Sequence, residues 1–114
     1  MLSNVPPAIQ WVYVNQTMTN LSISSSGQAT LTAQLIAVPG VTTQVWIFMY
    51  LERYSNGAWT SVNSWHQSYQ SISGTLQRQT NVTSGYWYRV KASCFAYSGS
   101  ESEHIIQYSN LVYR

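Results

Sequence analysis

The chain has 114 residues, enough for one domain with one hydrophobic core. Charged residues make up 7% of it, against about 25% in an ordinary soluble domain, and the net charge of +2 argues against a nucleic-acid or anionic-membrane surface. Five Trp, nine Tyr and many β-branched residues argue against disorder, and no apolar run is long enough for a membrane-spanning helix.

Helical periodicity is absent, and short alternating runs are separated by turn residues. The first run, Ala8–Val14, follows the helix breakers Pro6 and Pro7. Leu21–Ser24 is short, and Gln28–Val38 alternates through Ala29, Leu31, Ala33, Leu35 and Ala37. Gln44–Tyr54 and Trp59–Ser68 flank Asn56-Gly57, a pair that tolerates the positive φ of a type I′ hairpin. Gly74–Val82, Tyr86–Tyr97 and Ile105–Tyr113 complete the series. This spacing predicts an all-β antiparallel sandwich of about seven strands. It leaves room for an additional N-terminal strand, with residues 1–20 forming an N-terminal segment and 21–114 the sandwich domain.

A two-residue loop at Asn56-Gly57 places Tyr54 opposite Trp59, Leu51 opposite Val62 and Phe48 opposite Trp65. Val45, Ile47, Met49, Leu51 and Val62 then share an aliphatic face, which is assigned to the core. Trp46, Phe48, Tyr50, Tyr54, Trp59 and Trp65 share the outer face. By the same parity His66 falls inward, while His104 sits beside a loop.

In NVTSGYWYRVKASC, Val82 and Tyr88 are six residues apart with Gly85 between them. This resembles the tyrosine corner of fibronectin type III domains, in which the phenol bonds back to the chain ahead of its strand. The hairpin YLERYSNGAWTSVNSW and the strand GYWYRVKAS are also similar to small uncharacterised exported proteins of Gram-positive bacteria. The resemblance implies an immunoglobulin-like sandwich and export, and it transfers no active site. It also implies that the strand of Tyr88 lies beside the strand of Trp46, so that Trp87, Arg89 and Lys91 neighbour Trp46, Phe48 and Tyr50.

Three readings of this aromatic face are open. It is a ladder satisfied within the sheet, through cation–π and cross-strand aromatic pairs. It is covered by protein, either a partner or a second copy. Or it stacks sugar rings. The candidate binding residues are Trp46, Phe48, Tyr50, Trp59, Trp65, Trp87 and Arg89. The N-terminal strand offers a second route to an oligomer or filament, by pairing with a neighbour's sheet edge; pairing with its own sheet is the alternative.

Chemistry is sparse. There is no Asp, and Glu101 and Glu103 lie in the Ser-rich SGSESE stretch, where they read as solvated loop charges. No catalytic triad, glycosidase carboxylate pair, zinc spacing or calcium loop is present, so neither catalytic nor metal-binding residues are expected, and no cofactor. Cys94 is single, so it forms no intrachain disulfide; it reads as a small core residue or as a thiol pairing with another chain. Sequons occur at Asn15, Asn20 and Asn81 and matter only in a eukaryotic secretory pathway.

The N-terminus MLSNVPPAIQWVYV lacks the features of a signal peptide. Low charge and a Ser/Thr surface nevertheless fit an extracellular or cell-surface protein whose leader has been removed. The expectation is a non-enzymatic structural or interaction module acting by protein contact or self-association, with a carbohydrate-binding module as the alternative. Neither nucleic-acid binding nor membrane insertion is expected.

Overall fold

Residues 11–114, which the computed structural model describes, run as β-strands with no helix among them. The strands are β1 (Val14–Ile23), β2 (Gln28–Ala37), β3 (Gln44–Ser55), β4 (Ala58–Tyr69), β5 (Ser73–Asn81), β6 (Trp87–Ser98), β7 (Glu101–Tyr108) and β8 (Val112–Tyr113). A three-stranded sheet has the order β1-β2-β5, and a five-stranded sheet has the order β4-β3-β6-β7 with β8 also on β6. All pairings are antiparallel. The result is an all-β sandwich compatible with an immunoglobulin-like fold. Of the expected strand over Ala8–Val14, residues 8–10 lie outside the described residues, residues 11–13 precede β1, and Val14 opens it.

The core follows from two-residue alternation. Ala29, Leu31, Ala33, Leu35 and Ala37 of β2 are fully buried against Val45, Ile47, Met49 and Leu51 of β3. Alanine alternating with leucine lets the larger β3 and β6 side chains interdigitate. Each buried Leu or Ile contributes about 1.5–3 kcal/mol of hydrophobic stabilisation. Tyr88, Val90, Ala92, Cys94 and Ala96 complete the layer from β6. Cys94 is thus a core residue, and burial pushes its thiol up to about 12.

Three side chains close the β1/β7 side. Asn110, between β7 and β8, accepts the Leu21 N–H at 3.1 Å and donates to the Leu21 carbonyl at 2.9 Å, so one amide bridges the two sheets. Glu103 accepts the backbone N–H groups of Val12 and Tyr13 at 3.0 and 2.9 Å. The Tyr13 hydroxyl donates to Glu101 at 2.6 Å. The expectation of solvated loop charges is therefore corrected: both glutamates lie on β7 and anchor the incoming chain, because the turn occupies only Gly99 and Ser100.

The hairpin at Asn56-Gly57 forms as expected, with φ of 54° and 80° and Tyr54 opposite Trp59. Pairing holds through Glu52–Ser61 and then slips, because Val62 is an extra residue and Leu51 faces Asn63. Past this bulge every β4 side chain changes face. Three expectations are corrected by this one residue. Val62 does not face Leu51 in the core and is 41% exposed. Trp65 pairs with Met49 and packs inward against the core, while His66 pairs with Phe48 on the outer face.

Candidate functional site

The outer faces of the two sheets differ in chemistry. On the three-stranded sheet, Gln34, Gln77 and Gln79 donate to the hydroxyls of Thr75, Thr32 and Thr30 at 3.0–3.3 Å across the strands. That surface is a neutral amide–hydroxyl ladder with its polar groups mutually satisfied. The five-stranded sheet presents aromatic rings instead.

Register fixes their order. The row His66–Phe48–Ser93–Ile106 crosses β4, β3, β6 and β7, and the next row is Ser68–Trp46–Phe95–His104. Trp46 and Phe48 stack at 5.8 Å between centroids, and His66 lies parallel to both at 6.1 and 5.4 Å. Phe95 meets Phe48 edge-on at 5.9 Å and lies flat on His104 at 4.3 Å. Tyr97 extends the stack from Phe95. Ser93 Oγ is 2.6 Å from His104 Nε2, which fixes that ring. Trp46, Phe48, Phe95 and Tyr97 are half-buried, with no strand among the described residues above them.

Toward the hairpin the same face changes character. The Arg89 guanidinium is sandwiched between Trp59 and Tyr108, 4.3 Å from each ring centroid. Its Nε donates to Glu52 at 2.7 Å. Lys91 sits 5.7 Å from the Tyr50 ring. The cation, its counter-ion and two aromatic faces are satisfied within one sheet, in the manner of the ladder reading.

Of the seven residues singled out from the sequence, Trp46, Phe48, Tyr50, Trp59 and Arg89 share this face. Trp65 is removed from it by the Val62 bulge. Trp87 has the correct parity but not the expected neighbours. The β3–β6 register pairs Trp46 with Phe95, Phe48 with Ser93 and Tyr50 with Lys91, which puts Trp87 at the opposite end of β6. There it packs edge-on against Tyr113 of β8 at 5.4 Å. Sequence reasoning missed Phe95, Tyr97, His104, Ile106 and Tyr108. Continuing the parity of Arg89 and Lys91 along β6 identifies Phe95 and Tyr97; the three on β7 needed the turn at Gly99-Ser100.

The contact expected of a tyrosine corner forms. The Tyr88 hydroxyl, on a side chain 1% exposed, donates to the Thr83 carbonyl at 2.6 Å, back to the chain ahead of β6.

No protein-family model and no curated protein matches the sequence.

Proposed function

We propose that this chain is a non-enzymatic extracellular module that works by contact, and that it associates with a second copy of itself through the Trp46–Phe48–Phe95 end of the five-stranded sheet. One observation carries the reading: a continuous stack of five rings, Trp46, Phe48, His66, Phe95 and His104, has no described strand above it on one sheet, while the other sheet carries a polar ladder. A surface of this kind on a monomer is ordinarily an interaction site. Aromatic residues are enriched and charges depleted at interface cores, and no Lys, Arg, Asp or Glu lies in this stack. A second copy therefore covers it without desolvating a Lys, Arg, Asp or Glu side chain, whereas the hairpin end already spends its Arg89 cation on its own rings.

The fibronectin type III reading is supported by the Tyr88–Thr83 bond and by the sheet order. Low charge and a Ser/Thr-rich composition support an extracellular location. The non-enzymatic reading is supported by the positions of the three glutamates, which are engaged with Arg89, with Tyr13 and with backbone amides. Sugar stacking on this face is less favoured, because Trp59 is occupied by Arg89 and Trp65 faces the core.

Light scattering on the intact chain tests the proposal. Mass rising with concentration, and collapsing to that of a monomer when Trp46 and Phe48 are both changed to Ser, is the expected result. A monomer at every concentration overturns it.

A further inference from the structure

The β4/β5 side of the sandwich is closed at one end, where the Tyr69 hydroxyl donates to the Thr75 carbonyl at 2.8 Å, and is open around Arg53 and Val62. There a cleft of about 190 Å³ lies between the Val62 bulge and the segment that follows β5. It lies apart from the aromatic stack, and its chemistry is different.

Arg53 lines this cleft from the end of β3. Its guanidinium lies 4.2 Å from the Tyr86 ring centroid, and its Nε is buried and hydrogen-bonded to nothing among the described residues. That atom is shielded, so a ligand in the cleft would meet the two terminal nitrogens, which are accessible and carry no hydrogen bond among the described residues. The protein supplies no carboxylate for this guanidinium. Neighbouring Glu52 points to the opposite face and pairs with Arg89, and Glu101 and Glu103 are held at the other side of the sandwich. Around Arg53 stand Asn63, Thr80, Asn81 and Thr83, four neutral side chains with amides and hydroxyls. The side chains of Thr80, Asn81 and Thr83 have no hydrogen-bond partner among the described residues, and the Asn63 amide oxygen accepts only its neighbour's N–H, leaving its NH2 free. Val62 and Leu51 add an apolar wall.

The geometry points to this cleft as a binding site for a hexuronate, a sugar ring that bears a carboxylate. A guanidinium fork is matched to a planar carboxylate, and its pairing is charge-assisted. A carboxylate alone would leave the amides and hydroxyls of Asn63, Thr80, Asn81 and Thr83 without a task. Ring hydroxyls complement them, and Val62 faces the ring's C–H surface. The volume sets the size. Pockets for drug-sized ligands are roughly 300–1,000 Å³, so this cleft takes one sugar residue, with any remaining chain running out past the β4 edge. This site does not rest on the self-association reading, since it uses no residue of the aromatic stack.

The test is titration of the ¹⁵N-labelled full chain with digalacturonic acid, followed by amide shifts. Its arms are a neutral hexose disaccharide, sodium acetate and a blocked tripeptide with one Glu. Expected are saturable shifts at Arg53, Asn63, Asn81 and Thr83 with the uronate, little with the neutral sugar, and weakening as salt is raised. Arg53→Gln should lower affinity by at least about ten-fold, as loss of one partner of a desolvated charge pair does. Arg53→Lys should also weaken binding, because it keeps the charge but loses the fork. Asn81→Ala and Thr83→Val, both at exposed positions, guard against a misfolded Arg53 variant and should weaken binding with the melting temperature unchanged. Equal binding of the neutral sugar, indifference to all four substitutions, or no shift at these amides overturns the inference. Tripeptide binding stronger than uronate binding overturns it in favour of an acidic protein side chain.

Discussion

Two buried polar atoms show how single residues set the stability of this sandwich. The Tyr88 hydroxyl reaches the Thr83 carbonyl at 2.6 Å from a fully buried ring. Tyr88→Phe keeps the ring and loses the hydrogen bond, so it should cost about 0.5–1.5 kcal/mol by urea denaturation, the usual net contribution of one hydrogen bond. Cys94 is the other case. Burial raises its thiol from an ordinary 9.0 to about 12. The unfolded chain therefore ionises first as pH rises. The stability this group contributes is intact below about pH 9 and is lost as pH climbs toward 12. Tyr13 is raised too, chiefly by its hydrogen bond to Glu101, and Tyr69 by burial against an opposing effect of Arg78, so both act in the same alkaline direction. Thermal melts from pH 8 to 12 should show falling midpoints. At pH 8 a thiol reagent should label native Cys94 far more slowly than the urea-unfolded chain; equal rates would contradict its burial.

At the scale of elements, the strands and the hairpin were legible because alternation and Asn56-Gly57 are local signals. The register beyond Glu52 was not. A β-bulge is chosen by packing: with Val62 left out of the ladder, the large Trp65 and Tyr69 reach the core side, and Tyr69 lies over Gly74, where a Cβ would collide with its ring. No local rule marks Val62 as the extra residue. Its deletion removes a residue without changing the face of any other, since Ser61 and Asn63 already alternate. The variant should fold with Trp65 still buried, giving blue-shifted tryptophan emission. An emission red-shifted to that of exposed tryptophan would contradict this register. The Arg89 sandwich is a second element-scale device. Arg89→Ala removes two stacking contacts, worth roughly 0.5–1 kcal/mol each at exposed sites, and leaves Glu52 unpaired. A loss of about 1–3 kcal/mol is expected, with no change in native mass, because Arg89 lies outside the aromatic stack.

Across the whole molecule, the two sheets expose opposite chemistries. The Gln–Thr ladder was hidden in composition, because glutamine and threonine read equally well as loop. The Asn110 bridge joins residues far apart in the chain, so no sequence window contains it. The aromatic face was half legible: Trp46, Phe48, Tyr50, Trp59 and Arg89 follow from parity, while Trp65 was lost to the bulge and Trp87 to antiparallel register. Coverage of the ring stack by a second copy is the central proposal. Native mass by light scattering, over a wide concentration range and on both the wild type and the Trp46→Ser/Phe48→Ser double variant, addresses it directly. A wild type that multimerises beside a folded monomeric variant is the predicted result. A wild type that stays monomeric throughout, or a variant that multimerises as the wild type does, would contradict it.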